Sequence, residues 1–138
     1  MILLSPREIV DKMMKEDNMS QWLGIEILDY TVGNVICQLT VREEMVNGFK
    51  IAHGGITYSL ADSALAFSAN TSGIHSVSIE TSISHLKPVQ IGDQLTTATS
   101  TISMTSKIGV FQTEVRNQSD VLVAAFKGTV YRTSKVWE

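Results

Sequence analysis

Apolar and polar positions change rhythm several times along the chain, and the changes mark its elements. Ser5-Pro6-Arg7-Glu8 predicts a helix start: Ser5 can cap, Pro6 suits the first helical position, and Glu8 completes a capping box. Ile9, Val10, Met13 and Met14 then recur at helical spacing to about Asp17, with Met19 assigned to the same packing. Strand alternation takes over near 24–32 and 34–42, on either side of a Val32-Gly33-Asn34 turn. In the second strand Val35, Cys37, Leu39 and Val41 share one face, with Gln38 and Thr40 on the other. Residues 43–52 read as irregular, with Asn47-Gly48 as turn chemistry.

From Gly54 to about Asn70 the pattern is helical again, ending before Gly73. Four extended segments follow, near 76–87, 94–105, 108–117 and 121–132. This order predicts an α+β fold, a largely antiparallel sheet covered by the central helix, the only element apolar enough to cover it. No repeat or linker interrupts it. Residues 1–138 read as one domain, with an N-terminal helix at about 5–18 and a core at about 20–134.

Composition narrows the function classes. A net charge of −3 gives no electrostatic reason to expect a nucleic-acid partner. The single cysteine, Cys37, cannot form an intrachain disulfide, and its place in the alternation assigns it to the core. Residues 1–4 run straight into Ser5-Pro6, leaving no room for a signal-peptide hydrophobic region, and the longest apolar run, Val121 to Phe126, is far short of a membrane span. The expectation is a cytoplasmic protein with no membrane partner. His53, His75 and His85 lack metal-ligand spacing, so no metal site is expected.

Chemistry concentrates on the central helix. Between Lys50 and Glu80 the only formally charged residue is Asp62. Ile56, Leu60, Ala64 and Phe67 form one apolar stripe, with Tyr58, Leu65 and Ala69 on another face near Asp62. A helix apolar nearly all round is expected to be buried, and a carboxylate there needs partners or a raised pKa. Asp62 is then either a structural carboxylate paired from elsewhere or a functional acid. His53-Gly54-Gly55 opens the helix, where glycines either make a tight turn or let a ligand reach unpaired N–H groups. Gly54 and Asp62 are eight residues apart, about 12 Å along one helix, so one chain cannot bring both to a single atom. Two such helices packed antiparallel about a two-fold axis would bring Asp62 of one chain near Gly54 of its partner, making the active unit a homodimer.

The run Asn47-Gly48-Phe49-Lys50-Ile51-Ala52-His53-Gly54-Gly55, continuing through Asp62-Ser63-Ala64, closely resembles the PaaI-type (phenylacetate-pathway) acyl-CoA thioesterases of the hotdog fold. The similarity continues through His85-Leu86-Lys87-Pro88 and Ile91-Gly92-Asp93 and covers most of the chain from about residue 20. The resemblance implies a long central helix wrapped by a curved antiparallel sheet, and thioester hydrolysis of an aryl- or medium-chain acyl-CoA without a cofactor. It implies roles residue by residue: Asp62 as general base or nucleophile, the Gly54 N–H polarising the carbonyl, Asn47 orienting water or carbonyl. His53 would support the turn, and Ser78 would help to place the water. It also implies a tetramer built as a dimer of dimers.

Substrate contacts are expected from Gly55, Tyr58, Lys87, Pro88, Ser106 and Lys107, all inferred through the same resemblance. Relatives often carry Gly-Lys or Gly-Arg in the hairpin where this chain has Thr105-Ser106-Lys107, so the basic residue is shifted by one. Lys87 and Lys107 are either CoA contacts or solvated hairpin lysines. Tyr58, Leu65 and Phe67 either line an acyl pocket or pack the core. Two other functions fit the same chain: a hotdog hydratase or dehydratase acting on acyl thioesters, and a non-catalytic acyl-CoA-binding module.

Overall fold

The computed structural model describes residues 3–138; Met1 and Ile2, part of the apolar start noted above, lie outside the described residues. Helix α1 (Pro6–Glu16) begins as its sequence predicts, with both arms of the Ser5/Glu8 capping box formed. Asp17 then ends α1 and caps a second short helix, α2 (Asn18–Leu23), accepting from the Ser20 N–H at 2.9 Å and the Ser20 Oγ at 2.6 Å. Hydrophobic period did not reveal α2, because six residues are too few to display one. Met19, assigned above to packing of the first helix, lies on α2 and is 51% exposed.

Strands β1 (Glu26–Thr31) and β2 (Asn34–Thr40) form the expected hairpin, turning at Gly33 with φ 78°. Val35, Cys37 and Leu39 face inward as the alternation requires. A single 3-10 turn, Glu43–Met45, occupies part of the stretch read as irregular. Helix α3 (Gly54–Asn70) matches its predicted span. Strands β3 (Ile74–His85), β4 (Gln94–Met104), β5 (Ile108–Arg116) and β6 (Leu122–Val136) complete an antiparallel sheet of order β1-β2-β4-β5-β6-β3.

β3 starts two residues earlier than its pattern suggested, and β6 runs four residues further. Both shifts trace to Asn70 at the end of α3, which accepts from the Ser76 N–H and donates to the Ser76 carbonyl. Asn70 Oδ1 also accepts from Trp137 Nε1, tying the end of β6 to the end of the helix.

Helix α3 packs against β2, β3, β4, β5 and β6, so the sheet wraps it as the hotdog resemblance implied. Leu60, Ala64, Leu65 and Phe67 are fully buried there with Phe111 and Phe126. Leu65 and Phe67 are thus core side chains; Leu65 sits so close to Gly128 that a Cβ on that glycine would overlap it. Cys37 is buried as expected, and burial pushes its thiol pKa up to about 12, which leaves it inert as a nucleophile.

The helix is not covered on every side. Gly55 is exposed, and Ser59, Asp62, Ser63 and Ala66 are half-buried, forming one open stripe of small residues around the acid. The sheet gives out beside that stripe, because β3 is an edge strand paired only with β6. Val77 and Ile79 on β3 are 56% and 60% exposed.

Candidate active site

The residues that open α3 are tightly held. The Ala52 N–H donates to the Val89 carbonyl at 2.7 Å and the His53 N–H to the Met45 carbonyl at 2.8 Å. His53 is the N-cap, its Nδ1 accepting from the Gly55 N–H at 2.8 Å. That bond occupies the Gly55 amide. The Gly54 N–H, one position earlier, has no hydrogen-bond partner among the described residues. It is a free donor at the positive end of the helix dipole.

Neither glycine serves backbone geometry, since neither has positive φ. A Cβ on Gly54 would lie 3.1 Å from His85 Nε2, and one on Gly55 would lie 3.1 Å from His53 Nδ1. The pair makes room for two imidazoles, which removes the tight-turn reading of Gly-Gly.

A cavity of ≈ 370 Å³ opens at this helix start, lined among others by Asn47, Gly54, Thr57, His85, Lys87 and Pro88. Asn47 is oriented by its own loop: its N–H donates to the Ile51 carbonyl at 2.8 Å, and its Oδ1 accepts from the Phe49 N–H at 2.9 Å. With the oxygen engaged, Nδ2 is the free end. Asn47 can therefore offer the cavity a donor beside the Gly54 N–H.

Asp62 lies two turns further along. It is half-buried, and among the described residues its carboxylate has no hydrogen bond and no cationic partner. Burial, then the Asp17 carboxylate, holds its pKa above the ordinary value. Asp17 is brought near because α2 is tied to α3 through Ser20 Oγ and Ser63 Oγ, 2.8 Å apart. Tyr58 Oη is hydrogen-bonded to Thr81 Oγ1 on β3, and its ring meets Phe126 edge-on. The Tyr58–Thr81 and Asn70–Ser76 contacts bracket both Asp62 on the helix and Ser78 on the strand. Ser78 is exposed at the free edge.

Ser106 and Lys107 sit elsewhere, in the β4–β5 hairpin at the far end of the sheet. The Arg132 N–H donates to the Lys107 carbonyl at 2.7 Å, and Arg132 Nη1 to the Thr105 carbonyl at 2.7 Å. Val123 lines the cavity, and β6 extends about 30 Å from there to Arg132. One chain thus carries two separated groups. Asn47, His53, Gly54, Lys87 and Pro88 gather at the helix start, whereas Asp62, Ser78, Ser106 and Lys107 lie away from them.

Two cavity residues, Thr57 and His85, had no assigned role in the sequence reading. The Gly54–His85 contact joins the helix start to the end of β3, and no local spacing announces it. Among the described residues no three His, Cys, Asp or Glu side chains converge as a metal site would require. No helix of the described residues is long and apolar enough to cross a membrane.

Comparison with known proteins assigns the chain to a family. The thioesterase superfamily model matches residues 49–124. The acyl-coenzyme A thioesterase PaaI of Escherichia coli is 34% identical over 120 residues, covering 87% of this chain and 86% of that protein. The solved structure of E. coli PaaI, from the phenylacetic acid degradation operon, superposes with a TM-score of 0.92 at 31% identity, covering 95% of each chain. A Streptococcus mutans protein solved bound to acetyl CoA superposes with a TM-score of 0.79 at 26% identity, over 82% of this chain and 91% of that one. The chain therefore belongs to the thioesterase superfamily, among its PaaI-type members.

Proposed function

We propose that this thioester hydrolase cleaves acyl-CoA, releasing a free acid and CoA, from sites assembled across a homodimer. The observation that carries the reading is the split geometry. The Gly54 N–H is unpaired in a cavity, while the unpartnered Asp62 carboxylate lies about 12 Å along the same helix. The open stripe on α3 and the unpaired β3 edge, with Val77 and Ile79 exposed, support a two-fold partner there. Antiparallel pairing of two copies brings Asp62, Ser78 and the Lys107 hairpin of one toward the Gly54 cavity of the other. Pairing of two such dimers into a tetramer rests on the family resemblance alone.

In such a site the Gly54 N–H and Asn47 Nδ2 receive the thioester carbonyl and the attacking water. Asp62, as general base, takes a proton from the water as its oxygen bonds to the carbonyl carbon. The carbonyl electrons move to oxygen and are held by the Gly54 N–H. When the tetrahedral adduct collapses the C–S bond breaks, and the proton on Asp62 passes to the departing thiolate. A carboxyl with a raised pKa suits both proton transfers. One carbonyl donor is worth roughly 3–4 kcal/mol and a placed base about 10²–10⁴-fold, enough for an already activated ester. The S. mutans relative bound to acetyl CoA supports CoA as the thiol carrier. Aryl-acyl or medium-chain acyl groups are the acyl class proposed.

The test is thiol release from phenylacetyl-, benzoyl-, hexanoyl- and palmitoyl-CoA by the wild type and by Asp62→Asn. Activity on some member, falling about 10²–10⁴-fold in the variant with the fold intact, is the expected result. An undiminished Asp62→Asn enzyme would move the chemistry off this residue. A wild type that binds these thioesters and releases nothing would make the chain a binding module.

A further inference from the structure

The histidines of the described residues differ in what holds their rings. His53 caps α3 through Nδ1, and His75 lies flat on Trp137 with the ring centroids 3.9 Å apart. His85 has neither role. Its ring enters no hydrogen bond or ion pair among the described residues, and it lines the cavity at the Gly54 N–H.

The backbone beneath that ring is held on two sides. His85 is the last residue of β3 and pairs with Ala124 on β6. The next two amides, of Leu86 and Lys87, both donate to the Val123 carbonyl, at 2.8 and 3.3 Å. Two residues further on, the Val89 carbonyl accepts from the Ala52 N–H, which ties this segment to the loop that opens α3. The same bonds therefore fix His85 and Gly54 relative to each other.

Gly54 supplies the distance. The three atoms that a Cβ there would meet all belong to the His85 ring: Nε2 at 3.1 Å, Cε1 at 3.3 Å and Cδ2 at 3.8 Å. The ring thus presents its Nε2 corner to the helix start. A Cβ stands about 2.5 Å from its own backbone nitrogen, so Nε2 and the Gly54 nitrogen are at most about 5.6 Å apart. One oxygen accepting at about 2.9 Å from each of two donors can span up to about 5.8 Å between them. A single carbonyl oxygen in the cavity is then within reach of both. Nε2 carries a hydrogen in the protonated ring and in one neutral tautomer.

We infer that His85 Nε2–H is a second donor to the thioester carbonyl, paired with the Gly54 N–H. The inference rests on the acyl-CoA reading above and deepens it, leaving Asn47 Nδ2 to the attacking water. His85 transfers no proton. Its hydrogen bond strengthens as the carbonyl electrons move to oxygen, so it stabilises the transition state more than the bound substrate and acts on kcat. The ring is exposed, so water partly replaces it, and its loss costs less than the roughly 10²–10³-fold of an enclosed donor.

The experiment uses two variants. His85→Phe keeps a ring and has no donor, whereas His85→Gln sets an amide N–H near the place of Nε2 and cannot serve as a general acid. On phenylacetyl-CoA and hexanoyl-CoA, His85→Phe is expected to lower kcat about ten- to a hundredfold with KM little changed, and His85→Gln to recover most of the loss. Thiophenyl esters of the same acids, whose thiol leaves without help from an acid, should show the same defect. A defect confined to the CoA esters would make His85 the proton donor to the departing sulfur and overturn the assignment, as would an undiminished kcat in His85→Phe. A second readout needs no turnover. Both CoA esters, isotopically labelled at the carbonyl carbon, are bound to Asp62→Asn and their carbonyl infrared band is recorded. Adding His85→Phe removes a donor and should move that band to higher frequency; an unmoved band overturns the assignment. A wild type that binds these thioesters and cleaves nothing removes the hydrolytic reading, and the band shift then still decides this one. A chain that binds neither removes both.

Discussion

Asp17 and Asp62, distant in the chain, are electrostatically coupled: after burial, the Asp17 carboxylate is what holds the Asp62 carboxyl above its ordinary pKa. Asp17 occupies that place as the cap of α2, a structural duty that Asn performs nearly as well. Asp17→Asn therefore removes a charge and keeps the helix start. Without the repulsion, ionised Asp62 is favoured, its pKa falls, and the base form persists to lower pH. The acidic limb of the kcat/KM profile should move to lower pH in this variant. A limb that stays put would mean that the limiting group is not Asp62.

Asp62 itself should show opposed effects on activity and stability. Its folded-state pKa is raised, so between the unfolded and folded values the native chain binds more protons than the unfolded one. Stability contributed by this group is then lost as pH rises through that window. At neutral pH Asp62→Asn should melt higher than the wild type, because no desolvated charge remains. Acidification below the ordinary carboxylate pKa of 3.8 should close the gap. Chemical denaturation at neutral and acid pH reads the difference directly, and equal stability at neutral pH would contradict a destabilising charge.

What could be read from the chain alone divides by range. Local signals were strong where short-range physics decides: the Ser5/Glu8 capping box, the β2 alternation, the Gly33 turn and the span of α3 all follow from neighbours in sequence. Asp62 stood out because charge is absent from Lys50 to Glu80 apart from it. Long-range contacts gave no such signal. The bracing of β6 by Asn70 and Trp137 and the His85 ring against Gly54 depend on the closed sheet. The open stripe on α3 is hidden for a related reason. A helix with one charge between Lys50 and Glu80 reads as buried nearly all round, and only the edge position of β3 shows that the sheet stops beside Ser59, Ser63 and Ala66.

Gly54 permits a test that separates chemistry from folding. Its φ is not positive, so Ala fits the backbone, and Ala is also the better helix former. The added methyl first meets the exposed His85 ring, at 3.1 Å, a side chain free to shift by tenths of an ångström. Gly54→Ala should therefore change stability by no more than about 1 kcal/mol in either direction. Activity should fall sharply, since the methyl intrudes on the cavity beside the free N–H. A variant that melts like the wild type and turns over at the wild-type rate would show that the acyl carbonyl does not approach this amide.

The split site makes the strongest claim about assembly, and two crippled chains can test it. Asn47→Ser keeps an oxygen for the Phe49 N–H but has no Nδ2 to offer the cavity. Asp62→Asn removes the base. Each variant alone should be nearly inactive. Suppose the two are co-expressed in equal amounts and assemble at random, each site taking its Asn47 from one chain and its Asp62 from the partner. About a quarter of the sites then combine an intact Asn47 with an intact Asp62. The mixture should recover about a quarter of wild-type activity, with unchanged KM. If one chain supplied both residues, every site would carry one lesion and mixing would recover nothing. The readout is thus independent of how many dimers associate, because it counts pairings within a site and not the size of the assembly.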